Sequence, residues 1–137
     1  MATSLATVTL NIQWTPPGAQ VGSGNSAYTT QLSYNGQNVG SLDIQTTTPI
    51  TTIMPIPFGP IVQAKVVIIR NNMSSDIGIR LNGAVADQFR LASNAEFVMA
   101  SPTAPIGAPT GLITSASITT TAQPLSVENV SFWVFGD

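Results

Sequence analysis

Cysteine and histidine are both absent from this chain of 137 residues. Without a thiolate or an imidazole, the chain has no disulfide framework and none of the common zinc sites. A serine or threonine nucleophile would also lack its usual histidine base. We therefore predict that the protein is not an enzyme, with no catalytic residue, no bound metal, no cofactor and no small-molecule substrate.

Charge is scarce as well, because charged residues make up 7% of the chain, against about 25% in an average soluble domain. The net charge is −2 and the four cations are Lys65, Arg70, Arg80 and Arg90. Nucleic acids and anionic membrane surfaces need clustered cations, so neither is a predicted partner. No apolar run is long enough to span a bilayer. Residues 1–10 lack the cationic start of a secretion signal, which favours a protein made in a cytoplasm.

Apolar residues, in contrast, make up 43% of the chain, which is enough for one independent core at this length. A monomer keeps itself in solution with charged side chains, and this chain has few. The exterior must therefore consist largely of neutral polar and apolar groups. Such an exterior is typical of a subunit that makes large contacts with other proteins, and we expect a homo-oligomer, either a dimer or a trimer.

Strand-like alternation begins at residues 7–15, where Val8, Leu10, Ile12 and Trp14 point to one side. Residues 28–34 and 39–45 flank Asn35 and Gly36, which predicts a hairpin with both turn residues at positive φ. Residues 46–60 carry four prolines, so they are predicted to form an edge strand or a connection.

The second half of the chain contains the most β-branched run, at 66–69, which is the predicted central strand. Asn82 and Gly83 mark a second hairpin. Further short strands are predicted at 77–81, 88–91, 96–100, 112–121 and 127–135, with a proline-rich loop over 101–111. The chain is therefore predicted to be all-β: a jelly-roll-like β-sandwich of eight or nine short antiparallel strands. It would form one domain over 1–137, with a flexible arm over 1–6.

Three carboxylates, Asp76, Asp87 and Glu96, each lie near an arginine-bearing segment. A catalytic pair or a calcium site would need a defined spacing, which these residues lack. We expect ion pairs with Arg70, Arg80 and Arg90 instead. The single lysine, Lys65, is predicted to be an outward or edge-facing strand residue.

The aromatic cluster at 132–135 lies on both faces of its predicted strand. Phe132 shares one face with Val130 and Val134, whereas Trp133 and Phe135 share the other. Both faces must be covered, either within the fold or by another subunit. Stacking of a sugar on Trp133 is the alternative.

Residues 66–99 read VVIIRNNMSSDIGIRLNGAVADQFRLASNAEFVM, and 128–136 read ENVSFWVFG. These segments resemble a pattern in small virion proteins of tailed bacteriophages, in which one strand ends in N-N-S-S/G, a second reads I-x-I/Y-R-L-N-G and a third carries F-x-L before an acidic-aromatic strand. The resemblance implies a capsid decoration (cement) protein that binds the major capsid protein in the virion, assembled in the bacterial cytoplasm. A tail or head–tail structural protein, or a carbohydrate- or receptor-binding module of a tail, is the alternative.

Clamping of this kind needs stiff, weakly charged contact surface. The candidate interface segments are residues 2–6, the proline-rich segment around 54–58 and the loop 103–110. The candidate interface residues are Met54, Ile56, Phe58, Ile106, Trp133 and Phe135.

Overall fold

The computed structural model describes residues 4–14, 24–101, 107–108 and 111–137. These residues form strands joined by turns and loops, with no helix among them. The predicted all-β class is confirmed. The strands are β1 (Ser4–Trp14), β2 (Gly24–Tyr34), β3 (Gly36–Ile44), β4 (Ile53–Ile56), β5 (Ala64–Asn71), β6 (Ile77–Leu81), β7 (Phe89–Leu91), β8 (Glu96–Ala100), β9 (Gly107–Ala108), β10 (Gly111–Leu112), β11 (Ala116–Thr120) and β12 (Glu128–Gly136).

Eight of these strands form two antiparallel four-stranded sheets that pack face to face. The first sheet has the order β3-β12-β5-β8 and the second has the order β4-β11-β6-β7. Along the chain from β3, the eight strands alternate between the two sheets except for β6 and β7, which are neighbours in the second sheet. This is the strand order of a jelly roll. The predicted β-sandwich is therefore confirmed. The other described strands pair as two ribbons, β1 with β2 and β9 with β10.

The core lies between the two sheets and follows the predicted alternation. On β12, Val130, Phe132 and Val134 are buried in it, while Trp133 and Phe135 face outward. Strand β5 is an interior strand of its sheet, as its β-branched sequence predicts. Proline-bearing β4 is an edge strand, because its second edge has no partner in the described sheet.

Lys65 does not fit the predicted outward or edge-facing position. The pairing of β12 with β5 shifts between Phe135 and Gly136, so Lys65 lies in a β-bulge. Its side chain turns toward the end of β2 and the residue stays only 8% exposed. Its ammonium group donates to Ser33 O at 2.9 Å and pairs with Asp137 Oδ2 at 2.7 Å.

One of the two predicted hairpins is confirmed. Strand β6 pairs with β7, and Asn82 and Gly83 begin the connection with φ of 53° and 69°. The Asn82 side chain fixes this turn against the neighbouring segment, donating to Leu112 O at 2.7 Å and accepting from Thr114 N at 2.8 Å.

The hairpin predicted at Asn35 and Gly36 is wrong. Strand β2 pairs with β1, and β3 pairs with β12, so the two strands that flank this turn do not pair with each other. Long-range contacts decide the geometry here. The Asn35 N–H donates to Gly136 O at 3.0 Å, and Asn35 Nδ2 donates to Asp137 Oδ1 at 3.1 Å.

The ribbon β1–β2 extends from this point, and its base contacts the first sheet at β12. It is paired along its whole length, from Ser4 opposite Tyr34 at the base to Trp14 opposite Gly24 at the tip. Residues 4–6 belong to this ribbon and pair with β2, whereas the sequence suggested a flexible arm over 1–6.

Candidate protein-binding surface

The outer face of the first sheet carries a row of apolar side chains that crosses all four strands. Trp133 on β12 lies opposite Val39 on β3 and opposite Ile68 on β5, and Ile68 lies opposite Val98 on β8. We call these four residues the apolar band. Trp133 and Ile68 are half-buried, whereas Val39 is 51% and Val98 is 48% exposed at the two ends.

The rows on either side of the band differ sharply. On one side, Ser41, Ser131, Arg70 and Glu96 form a polar row, with Arg70 Nη1 and Glu96 Oε1 3.0 Å apart. On the other side lie Phe135 and Val66, in register with each other. The band is therefore bounded by a charged row toward one end of the sandwich and by an aromatic row toward the other.

The aromatic row is covered by the base of the ribbon. The rings of Tyr34 and Phe135 meet edge to face, with centroids 5.0 Å apart. Leu32 and Val66 are both fully buried, although neither belongs to the core between the sheets. The ribbon thus covers one row of the outer face and leaves the adjacent band accessible.

Most charged side chains are paired with an opposite charge, so the surface has little net electrostatic potential. All four cations are ion-paired within the chain: Lys65 with Asp137, Arg70 with Glu96, Arg80 with Asp87, and Arg90 with Asp76. The predicted ion pairs of the three arginines are confirmed. Among the described residues, Asp43 and Glu128 are the charged side chains outside these pairs.

The carboxylate of Asp87 accepts a charged hydrogen bond that favours its ionised form. Arg80 Nε donates to Asp87 Oδ1 at 2.8 Å, and this bond holds the pKa of Asp87 below its ordinary value despite partial desolvation. A lowered pKa keeps the group ionised, which suits an ion-pair partner rather than a proton donor. Within the described residues, no three acidic side chains lie close enough together to hold a metal ion.

A second apolar surface lies on the loops at one end of the sandwich. The loop after β3 and the loop before β12 are held together there, because the Thr120 hydroxyl donates to Pro49 O at 2.8 Å and Gln123 Nε2 donates to Thr46 O. Three apolar side chains on these loops are more than half exposed. We call them the loop tips: Ile50, Leu125 and Val127.

The residues proposed from sequence fall into three groups. Trp133 and Phe135 lie on the outer sheet face, as the alternation predicts, with Phe135 under the ribbon base. Ile56 and Phe58 are buried in the core, so the folded chain does not present them as contact residues, and Met54 is half-buried against the same core. Ile106, with most of the loop 103–110, lies outside the described residues.

Sequence reasoning missed Val39, Ile68 and Val98, which complete the band. Each comes from a different strand, and only the pairing register places them beside Trp133. A usable signal exists on β3, where Val39 is the one apolar residue among polar positions 37–41. An isolated apolar residue on an outward face indicates a neighbour on the adjoining strand.

Comparisons of the chain with protein-family models, with curated proteins and with solved structures found no match. No helix in the described part of the chain has the length and apolar character needed to cross a membrane.

Proposed function

We propose that this protein is a virion structural protein that binds and stabilises a phage capsid surface as a decoration protein. The major capsid protein would be its partner, and the chain would act as a homo-oligomer, assembled in the bacterial cytoplasm and retained in the virion. The resemblance of residues 66–99 to small phage virion proteins supports the class. The observation that carries the proposal is the presence of two exposed apolar surfaces, the apolar band and the loop tips, on a sandwich whose cations are all internally paired.

Protein interfaces are depleted of charge at their centre and enriched in aromatic residues. The apolar band has this composition, with Trp133 in the middle and aliphatic side chains on both sides. The loop tips add a second such surface at the end of the sandwich. Leu125 is fully exposed there, so burial of its side chain against another protein would stabilise a complex.

The same surface argues against other classes of partner. Each cation already has a carboxylate partner within the chain, so binding of phosphate groups would have to break existing ion pairs. The carboxylates Asp76, Asp87 and Glu96 are held as ion-pair partners on separate strands and loops. We therefore propose a binding role without catalysis and without a cofactor.

The proposal is tested on phage particles that encode the chain. Cryo-electron microscopy of purified virions should show its density at regular positions on the capsid shell. Shells that lack the protein should recover it when the purified chain is added, and should then resist heat or low-salt disruption better. Density confined to the tail would instead establish the tail or head–tail alternative, and absence from the particle would overturn both.

The loop tips provide the matched variants for this reconstitution. Leu125→Asp places a charge on a fully exposed side chain, so the fold should be retained while binding to the shell is weakened. Ser126→Asp adds the same charge to the adjacent exposed polar residue and is the control. Equal loss of binding by both variants would mean that net charge, rather than apolar contact at Leu125, governs the interaction.

Carbohydrate binding is the second candidate, and one observation favours it. The half-buried Trp133 lies one row from Ser41 and Ser131, whose hydroxyls could bond a sugar stacked on the indole ring. Saturable binding on a glycan array that is lost in Trp133→Ala, but retained in Phe135→Ala, would support it. Absence of glycan binding together with shell binding would leave the decoration role.

A further inference from the structure

One side of the ribbon β1–β2 carries several apolar side chains, and the other side is polar beyond Leu5. Its register places Ala6 opposite Leu32, and places Val8 and Leu10 on the same side. The opposite side carries Thr7 and Thr9, and the Thr9 hydroxyl lies 3.4 Å from that of Thr29. The apolar face is therefore continuous with the buried Leu32 at the base, but Leu10 is 56% exposed further out.

A ribbon of this length is not stable by its own pairing alone. Two-stranded sheets are marginal in water unless a third strand or an apolar surface supports them. With about 3.4 Å per residue, the ribbon reaches roughly 34 Å from base to tip. The main contact of its strands with the sandwich is at β12, near the base. Because Leu10 is 56% exposed, the apolar face beyond the base can accept a further apolar surface.

We propose that the ribbon of one copy lies across the apolar band of a second copy of this chain. Both surfaces are free of charge, because residues 1–42 contain no charged side chain and the band has none. Their lengths also match. Ala6 to Leu10 spans about 14 Å along a strand, and the band spans about 14 Å across three strand spacings.

The position of the ribbon favours a second copy over an unrelated protein. Its base already covers the Phe135 row, which is adjacent to the band on the same sheet face. When two copies face each other across a two-fold axis, each ribbon can extend over the other copy's band. One self-complementary contact then covers both unpartnered surfaces, whereas an unrelated partner would need two separate sites.

This inference does not depend on the capsid proposal, because it concerns only copies of the same chain. The loop tips lie on other parts of the fold and stay available for a different protein. Self-association and shell binding should therefore be separable by substitution. Val98→Asp should weaken self-association by about tenfold or more, since it buries a charge in the contact. Leu125→Asp should leave it unchanged.

Cross-linking gives the decisive test, since the chain has no native cysteine. Leu10→Cys would be mixed in full-length form with Val39→Cys or with Val98→Cys, which mark the two ends of the band, and treated with a short bismaleimide. We expect a linked pair of chains from at least one mixture. Thr9→Cys, on the polar face of the ribbon, is the control and should link several-fold less.

Light scattering after size exclusion supplies the second readout, with a dimer or larger species expected for the wild type. A wild-type chain that stays monomeric at every concentration would overturn the inference. Equal linking by Thr9→Cys and Leu10→Cys would overturn it as well. So would a link within one chain in Leu10→Cys/Val98→Cys, because the ribbon would then fold onto its own sheet.

Discussion

Replacing Asn71 with leucine removes the most extensively bonded polar side chain of the core. Asn71 is fully buried at the end of β5. Its Nδ2 donates to Ser75 O at 2.8 Å, to Ala92 O at 3.1 Å and to Leu91 O at 3.2 Å. Its Oδ1 accepts from Met73 N at 3.0 Å. One amide thus connects the turn after β5 with the loop after β7, across the two sheets.

The cost of the substitution can be estimated from these partners. Leucine has the same branching and a somewhat larger side chain, so no cavity is created, but the N–H of the buried Met73 and the carbonyls lose their partner. Each unsatisfied buried group costs about 1–3 kcal/mol, so we expect a loss of about 4 kcal/mol in the free energy of unfolding. This is a large part of the roughly 5–15 kcal/mol that stabilises a typical domain. The midpoint of thermal unfolding should fall by about 12 °C.

Urea and thermal unfolding monitored by the tryptophan fluorescence and by circular dichroism measure this loss. Asn11→Leu, at an exposed position on the ribbon, is the control and should change stability by less than about 0.5 kcal/mol. Asn71→Asp adds a second criterion. It retains the acceptor for Met73 but points a carboxylate at three carbonyls, so its deficit should shrink as the pH falls and the carboxyl becomes protonated. A loss below about 1 kcal/mol for Asn71→Leu would refute the reasoning.

Three further tests, two of them with a comparison variant, probe other parts of the fold. Gly136→Ala would place a Cβ onto the carbonyl of Gln63 and the Cα of Ala64, so we expect the free energy of unfolding to fall by about 3 kcal/mol or more. Gly83→Ala, at positive φ in open space, should lower the free energy of unfolding by about 1 kcal/mol. Thermal unfolding measures both. Because the pKa of Asp87 is lowered in the fold, its ion pair stabilises the protein above the unfolded pKa, near 4, and this contribution is lost as the pH falls through the folded pKa. Asp87→Asn should therefore reduce stability at neutral pH and flatten its decline in acid, as read from urea midpoints against pH. Lys65→Met should accelerate amide exchange at the ribbon base, because Ser33 and Asp137 lose their shared partner, while Arg70→Met, at an exposed ion pair, should leave that exchange unchanged.

Local patterns predicted the sandwich because each strand's own alternation reflects which side faces the core. The buried Val130, Phe132 and Val134 on β12 illustrate this, since their spacing of two is visible without knowledge of any neighbour. The turn at Asn82 and Gly83 was predictable for a similar reason. Positive φ at both positions is a local requirement, and Asn and Gly are the residues that meet it most readily.

Features that depend on distant parts of the chain were not predictable in this way. The Asn35–Gly36 pair has the composition of a hairpin turn, yet Asn35 bonds to residues 136 and 137 instead, and the strands on either side join different partners. The burial of Ile56 has the same origin, because β4 is placed against the core by its pairing with β11. The register that aligns the apolar band is likewise a property of four strands together.

The segment 66–99, on which the proposed virion role partly rests, can now be interpreted residue by residue. Its first motif contains Asn71, whose amide joins the two loops, and Asn72, which bonds Asn129 Oδ1 at 2.7 Å and Ser131 Oγ at 2.8 Å on β12. Its second motif ends in Asn82 and Gly83, which form the turn after β6. These asparagines maintain the fold, so their side chains do not specify which partner the chain binds. The residues that would specify a partner lie outside these motif positions: Leu10, Val39, Trp133 and Leu125 can change without altering a turn or a buried hydrogen bond. Experiments on function should therefore target the band, the ribbon and the loop tips, because substitutions at the motif asparagines would report loss of folding whatever the partner.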